Sequence, residues 1–218
     1  MSRKTLVRST HFPYHITARA NNKEPFHLCL GSAWKVFNDQ LFEMSILFGI
    51  QIHAFVLMPN HFHLLITTPN EDLGLVMQNL MRSITRALNL KSGRSGRVFG
   101  ARYHWTLINS HVYFSHAYKY VYRNPVKADL SKNVEDYPFS TLNGLLGFQS
   151  LYFPLYFPFG EDRFAFIPDT VQEQLTWLNK PFKKEHDQGI NKLLKKTVFS
   201  PPMRGWKGAL KELENQLI

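Results

Sequence analysis

Residues 50 to 67 read Ile50-Gln-Ile-His-Ala-Phe-Val-Leu-Met-Pro-Asn-His-Phe-His-Leu-Leu-Ile-Thr67. Apolar and β-branched residues fill both halves of this stretch, and Met58-Pro59-Asn60 interrupts them with a turn signal. The reading is an antiparallel hairpin, with one strand over roughly 50–57 and a second over 61–67. Side chains two apart on a strand share a face. His61 and His63 therefore project together, while Phe62 enters the opposite layer.

Working outward, residues 13–19 mix aromatic and β-branched side chains and read as a first strand, followed by the loop Asn21-Asn22-Lys23. Ser32 caps an expected helix to about Leu47, because Ala33, Val36, Phe37, Leu41, Met44 and Ile46 recur at near-helical spacing. Beyond Pro69, Glu71 and Asp72 suit a helix N-terminus, and Leu73, Val76, Leu80, Ile84 and Leu88 line one face. Lys91 to Arg97 reads as a basic, glycine-containing loop and Trp105 to Ile108 as a fourth strand. Ser110 opens a helix expected to stop near Asn124, because proline disfavours helical geometry in the residue before it. Strand, helix, strand, strand, helix, strand, helix is an α+β pattern: an antiparallel sheet with helices on one face.

The chain has 218 residues and a net charge of +10. Hydrophobic residues make up 44% of it, which excludes a mainly disordered chain. No apolar run reaches the roughly 18 residues of a membrane span. The single cysteine, Cys29, permits no internal disulfide and no multi-cysteine zinc site, and the basic start lacks the apolar stretch of a secretion signal. A cytoplasmic setting without membrane partners is expected.

The positive charge is unevenly placed. Between Leu73 and Ala128 there are nine basic residues and no acid, interleaved with aromatic residues. Cations for phosphates beside rings that stack on unpaired bases suit single-stranded nucleic acid, although a solvated face over an aromatic core has the same composition. From residue 146 the character changes. The stretch Leu151 to Phe166 is rich in proline and aromatic residues and reads as a segment wrapped over the domain or as a base-stacking platform. A basic tail with a final helix near Arg204 to Leu217 follows. The expected organisation is a domain over 1–145 and an extension over 146–218, packed on the domain or contacting DNA.

Two constellations could carry chemistry. Paired imidazoles at His61 and His63 suit a divalent cation; His53 on the neighbouring strand reads as a third ligand, a neighbour or a satisfied core histidine. Tyr113, His116, Tyr120 and Asn124 fall at helical steps of three and four, whereas Tyr118 and Tyr122 point elsewhere. A tyrosine oxygen can attack a phosphodiester when a cation polarises the phosphate. For Asn124 the simpler alternative is an N-cap to a short helix beginning with Pro125.

The string Met58-Pro-Asn-His-Phe-His-Leu-Leu65, followed by Tyr118-Lys-Tyr-Val-Tyr-Arg-Asn-Pro-Val-Lys-Ala128, resembles the single-tyrosine HUH transposases, in particular the REP-associated tyrosine transposases. Tyr14 to Asn22 and Asp136-Tyr-Pro-Phe-Ser140 also fit, so the resemblance covers about residues 8–145. It implies a ferredoxin-like or RRM-like core, with His61, His63 and Asn124 binding Mg²⁺ or Mn²⁺ and Tyr120 as the nucleophile. It also implies cleavage and rejoining of single-stranded DNA at hairpins of palindromic repeats, through a 5′-phosphotyrosine, by a monomer or homodimer. Arg82, Arg86, Arg94, Arg97, Arg102 and Arg123 are the candidates for holding the DNA backbone. An HUH replication initiator or relaxase, or a binding module without catalysis, are the alternatives.

Overall fold

The computed structural model describes residues 5–158 and 167–199. The elements are β1 Tyr14–Arg19, α1 Leu30–Phe48, β2 Gln51–Met58, β3 His61–Thr67, α2 Leu73–Ser92, β4 His104–Leu107, α3 His111–Lys127, α4 Leu142–Leu145, α5 Val171–Asn179 and α6 Lys184–Leu193. The first six give the β-α-β-β-α-β order of a ferredoxin-like fold. The strands form one antiparallel sheet in the order β2-β3-β1-β4.

Strand alternation assigns the two faces. Ile16, Phe55, Leu57, Phe62, Leu64 and Ile66 point to one side, where α1 and α2 cover them with Val36, Phe37, Leu41, Val76, Leu80 and Ile84. Phe62 is 1% exposed there, against Phe37, Phe55 and Phe99. Its truncation to alanine would remove about 3–5 kcal/mol. The expected plan of helices on one face holds for α1 and α2, but α3 widens it by crossing the opposite face. Ala54, Val56, Met58 and Leu65 meet Phe114, Ala117, Tyr118, Val121 and Tyr122 there. Periodicity shows that a helix has an apolar stripe, not which side of a sheet the stripe covers.

Local signals set the helix ends, with two corrections. Asp72 caps α2, its carboxylate accepting the Gly74 N–H at 2.7 Å, and Gly93 ends that helix with a φ of 65°. The cap residue of α1 is Cys29, so Ser32 lies inside the helix rather than before it. Helix α3 does not stop near Asn124 but continues through Pro125 to Lys127. Proline lacks the N–H that would reach the Val121 carbonyl. The Asn124 amide compensates, with Nδ2 donating to the Tyr120 carbonyl at 2.8 Å and the Val121 carbonyl at 3.4 Å.

The chain beyond 145 covers what the sheet leaves open. Along the β2 edge, the Tyr156 N–H donates to the Ile52 carbonyl at 2.8 Å, and Phe153 is buried. The described part of the aromatic, proline-rich stretch thus wraps that edge. Along β4, the Leu107 N–H donates to the Thr197 carbonyl at 3.0 Å and the Phe199 N–H to the Leu107 carbonyl at 2.9 Å. Both edges are shielded from pairing with another chain. Leu178, Ile190, Leu193, Leu194 and Phe199 join the core beneath α3. The expected final helix near residues 204–217, and Phe159 to Phe166, lie outside the described residues.

Candidate functional site

The face of the sheet beneath α3 carries the histidine pair. His61, His63 and Leu65 alternate onto this face of β3, and on the neighbouring β1 the register sets Arg19 opposite His61, Thr17 opposite His63 and His15 opposite Leu65. His15 therefore lies diagonally next to His63. Their rings stack with centres 5.3 Å apart, and His15 Nε2 meets His63 Nδ1 at 3.0 Å. The His61 and His63 rings are 5.2 Å apart and nearly perpendicular.

Tyr120 comes down from α3 onto this cluster. Its ring stands edge-on to His63 at 5.6 Å and to His15 at 5.9 Å. The structure brings Tyr120, His61 and His63 of one chain together, with His15 as a further member. Of the other α3 residues, Tyr113 packs on Phe199 and His116 on Phe182, so neither joins the histidine pair. Asn124 sits inside α3 rather than capping a new helix. Its Nδ2 is spent on backbone carbonyls, which leaves Oδ1 as its acceptor.

Electrostatics follows from burial. Burial holds His61 down to about 4, with Arg19 adding to the effect. It holds His63 well below the usual range, helped by His15, His61 and Arg19, and takes His15 to about 3 with a contribution from His104. The cluster is neutral at physiological pH, so its imidazoles offer lone pairs rather than charges. Burial also pushes the Tyr120 hydroxyl up to about 12; Asp187 of α6 raises it further, while Arg19 and the Asn124 side chain oppose the rise.

The donor set suits a divalent cation. His61 Nδ1 meets Asn60 Oδ1 at 2.7 Å and His63 Nδ1 meets His15, so Nε2 is the nitrogen left on each ring. Asn124, whose side chain reaches Tyr120, is the candidate to add an amide oxygen, and two imidazole nitrogens with one amide oxygen are a neutral set compatible with Mg²⁺ or Mn²⁺ and their phosphate ligands. Among the described residues no group of three or more His, Cys, Asp or Glu could hold a metal ion, so the histidine pair would need other oxygen ligands such as an amide, a phosphate or water. His53 is a satisfied core histidine: its ring nitrogens contact the Tyr156 carbonyl at 2.9 Å and the Thr67 hydroxyl at 2.8 Å.

The basic candidates disperse. Arg82 and Arg86 lie on α2, in the layer across the sheet from Tyr120. Arg94, Arg97 and Arg102 are exposed in the connection from α2 to β4. Arg123 is half-buried, and its guanidinium donates to the Leu178 carbonyl at 2.8 Å and to the Asn179 carbonyl, tying α3 to the end of α5. Beside Tyr120 opens a cleft of about 240 Å³ walled by Arg123, Lys127, Phe182, Lys184 and Asp187. The sequence reading missed His15, Arg19, Asn60 and Asp187. Only half of the signal for the first two is in the sequence: residues 15 and 19 share a strand face, but that β1 lies beside β3 comes from the structure.

No family model matches the chain. A curated relative, the REP-associated tyrosine transposase of Escherichia coli (strain K12), is 31% identical over 111 residues, which is 50% of this chain and 59% of the relative. The match thus spans less than two thirds of that protein. A solved structure of the REP-associated tyrosine transposase bound to a REP hairpin aligns with a TM-score of 0.58 at 22% identity, over 75% of this chain and 93% of the other. That likeness shows the shared α+β fold.

Proposed function

We propose that this chain is a metal-dependent tyrosine transposase that cleaves and rejoins single-stranded DNA beside hairpins. The observation that carries the reading is the edge-on seat of Tyr120 against His63, next to His61, in one chain. Tyr120 packs edge-on to His63 and His15, and the Nε2 atoms of His61 and His63 make no hydrogen bond among the described residues. The relative named as a REP-associated tyrosine transposase, and the fold shared with one bound to a REP hairpin, support a hairpin-forming DNA as substrate.

The residues support the following mechanism. His61, His63 and Asn124 would hold the cation, which when bound neutralises phosphate charge and stabilises the leaving oxygen. Tyr120 Oη attacks the scissile phosphorus, forming the Tyr–O–P bond as the bond to the 3′ oxygen breaks. The phenolic proton leaves Tyr120 and the departing 3′ oxygen takes one up, so a 3′ hydroxyl and a 5′-phosphotyrosine result. A second 3′ hydroxyl reverses the step and releases Tyr120. No ATP is consumed, because the phosphodiester energy stays in the covalent link. Arg19, whose charge favours the ionised phenol, is exposed at the end of β1 and would be a cation for the DNA backbone.

Incubation of labelled hairpin DNA carrying single-stranded flanks with Mn²⁺ should yield a protein–DNA adduct that survives denaturation. Tyr120→Phe should yield none. An adduct that persists in Tyr120→Phe, or its absence from wild type on all such hairpins, overturns the reading.

A further inference from the structure

Asn60 lies in the turn between β2 and β3, and its side-chain amide makes two contacts of fixed polarity. The Lys23 carbonyl, 2.6 Å away, can only accept, so it takes the Nδ2 hydrogen. That orientation turns Oδ1 toward His61 Nδ1 at 2.7 Å. An amide oxygen also only accepts. The proton of His61 therefore sits on Nδ1 and its lone pair on Nε2. The turn holding Lys23 is anchored in its own right, since the Lys23 N–H donates to the Ala20 carbonyl at 3.2 Å and the Ala20 N–H to the Asn60 carbonyl at 2.8 Å. The amide is locked from both ends.

His15 meets His63 Nδ1 in the corresponding place, but through a ring nitrogen that can donate or accept. The two imidazoles are 2% and 5% exposed, and neither has a carboxylate partner among the described residues. Both are therefore neutral, and one proton lies across the 3.0 Å contact between His15 Nε2 and His63 Nδ1. If His15 supplied it, the proton of His63 would move to Nε2 and point at any approaching cation. If His63 supplies it, Nε2 is left as a lone pair, as on His61.

We propose that Asn60 and His15 are positioning residues that keep the protons of His61 and His63 on Nδ1, so that both Nε2 lone pairs are offered together beside Tyr120. The proposal rests on the metal-binding reading above. It assigns a purpose to the Asn60 side chain, whose amide contacts the Lys23 carbonyl and His61 Nδ1. Partners of this kind commonly set metal affinity by about 10–100-fold.

Long-range ¹H–¹⁵N correlation spectra of the full, metal-free chain read tautomers directly and need no substitution. His61 and His63 should both appear in the Nδ1–H form. Asn60→Ala should move His61 toward the Nε2–H form and weaken Mn²⁺ binding, read by calorimetry, about 10–100-fold. Asn60→Asp, which keeps an accepting oxygen, should restore the tautomer and most of the affinity, and His15→Phe should act on His63 as Asn60→Ala acts on His61. An Nε2–H form of either histidine in wild type overturns the proposal, as do Asn60→Ala and His15→Phe proteins with unchanged tautomers and affinity. Correct tautomers in a wild-type protein that binds no Mn²⁺ would instead overturn the metal reading and leave the positioning of the protons standing.

Discussion

Tyr120 and His63 of one chain meet edge-on, with ring centres 5.6 Å apart and planes at 84°. Helix α3 packs Phe114, Ala117, Tyr118 and Val121 against β2 and β3. Exchanging α3 between copies would have to uncover several fully buried side chains on the way, each worth about 1.5–3 kcal/mol.

A mixing experiment tests this arrangement. Tyr120→Phe and His63→Ala proteins, each inactive alone, should remain inactive when combined, because no single molecule would then hold both groups. Adduct formation regained on mixing would show that α3 is exchanged between copies.

Arg123 and Arg19 should behave differently although both are arginines near Tyr120. The Arg123 guanidinium is committed to the carbonyls of Leu178 and Asn179. Arg123→Ala should cost about 1.5–3 kcal/mol, the usual worth of hydrogen bonds from a charged group. Limited proteolysis should then cut the chain more readily around α5. Arg19 is exposed, opposite His61 in the sheet. Arg19→Ala should leave the melting temperature nearly unchanged, weaken DNA binding across sequences and lower the salt dependence by about one ion.

Stability should climb with pH across two windows. Burial takes His53 and His116 down to about 4, so between pH 4 and 6.5 the unfolded chain binds protons that the folded chain refuses. Lys119, 5% exposed with its ammonium 5.1 Å from the ring centres of Trp177 and Phe182, is held down to about 7, first by burial and then by Arg123 and Lys180. From about pH 7 to the ordinary lysine value the unfolded chain again binds the extra proton, so stability rises through that window also. Lys119→Met should flatten the upper window and raise the melting temperature at pH 7 by a few degrees. Calorimetric scans from pH 4 to 10 read both windows.

Much of the fold is legible because strands declare their faces. The alternation through His61, Phe62 and His63 suffices by itself to place the pair on one side of a sheet, and helical spacing finds α1 and α2. Strand order is not written in any local pattern. The contact between His15 and His63 depends on β1 lying beside β3, and the pairing of residues 48 apart leaves no periodic trace. Helices α5 and α6 escape the sequence reading because they have only 9 and 10 residues, too short for periodicity to stand out from a basic tail. The arginines are read from composition, which cannot distinguish a phosphate contact from the backbone contacts of Arg123.

The end of α3 departs from expectation for a reason that yields its own test. Proline is expected to stop the helix, but the Asn124 side chain donates to the carbonyls of Tyr120 and Val121 and sustains the last turn. Asn124 thus has a structural task on Nδ2 and a proposed chemical task on Oδ1, and the two can be separated. Asn124→Ala should lose about 1 kcal/mol and abolish adduct formation. Adding Pro125→Ala returns a backbone N–H for the Val121 carbonyl and removes the helix penalty of proline. The double variant should therefore melt higher than Asn124→Ala while remaining unable to form the adduct. Recovery of adduct formation along with stability would mean that Asn124 serves only the helix, and that the cation is held by His61 and His63 alone.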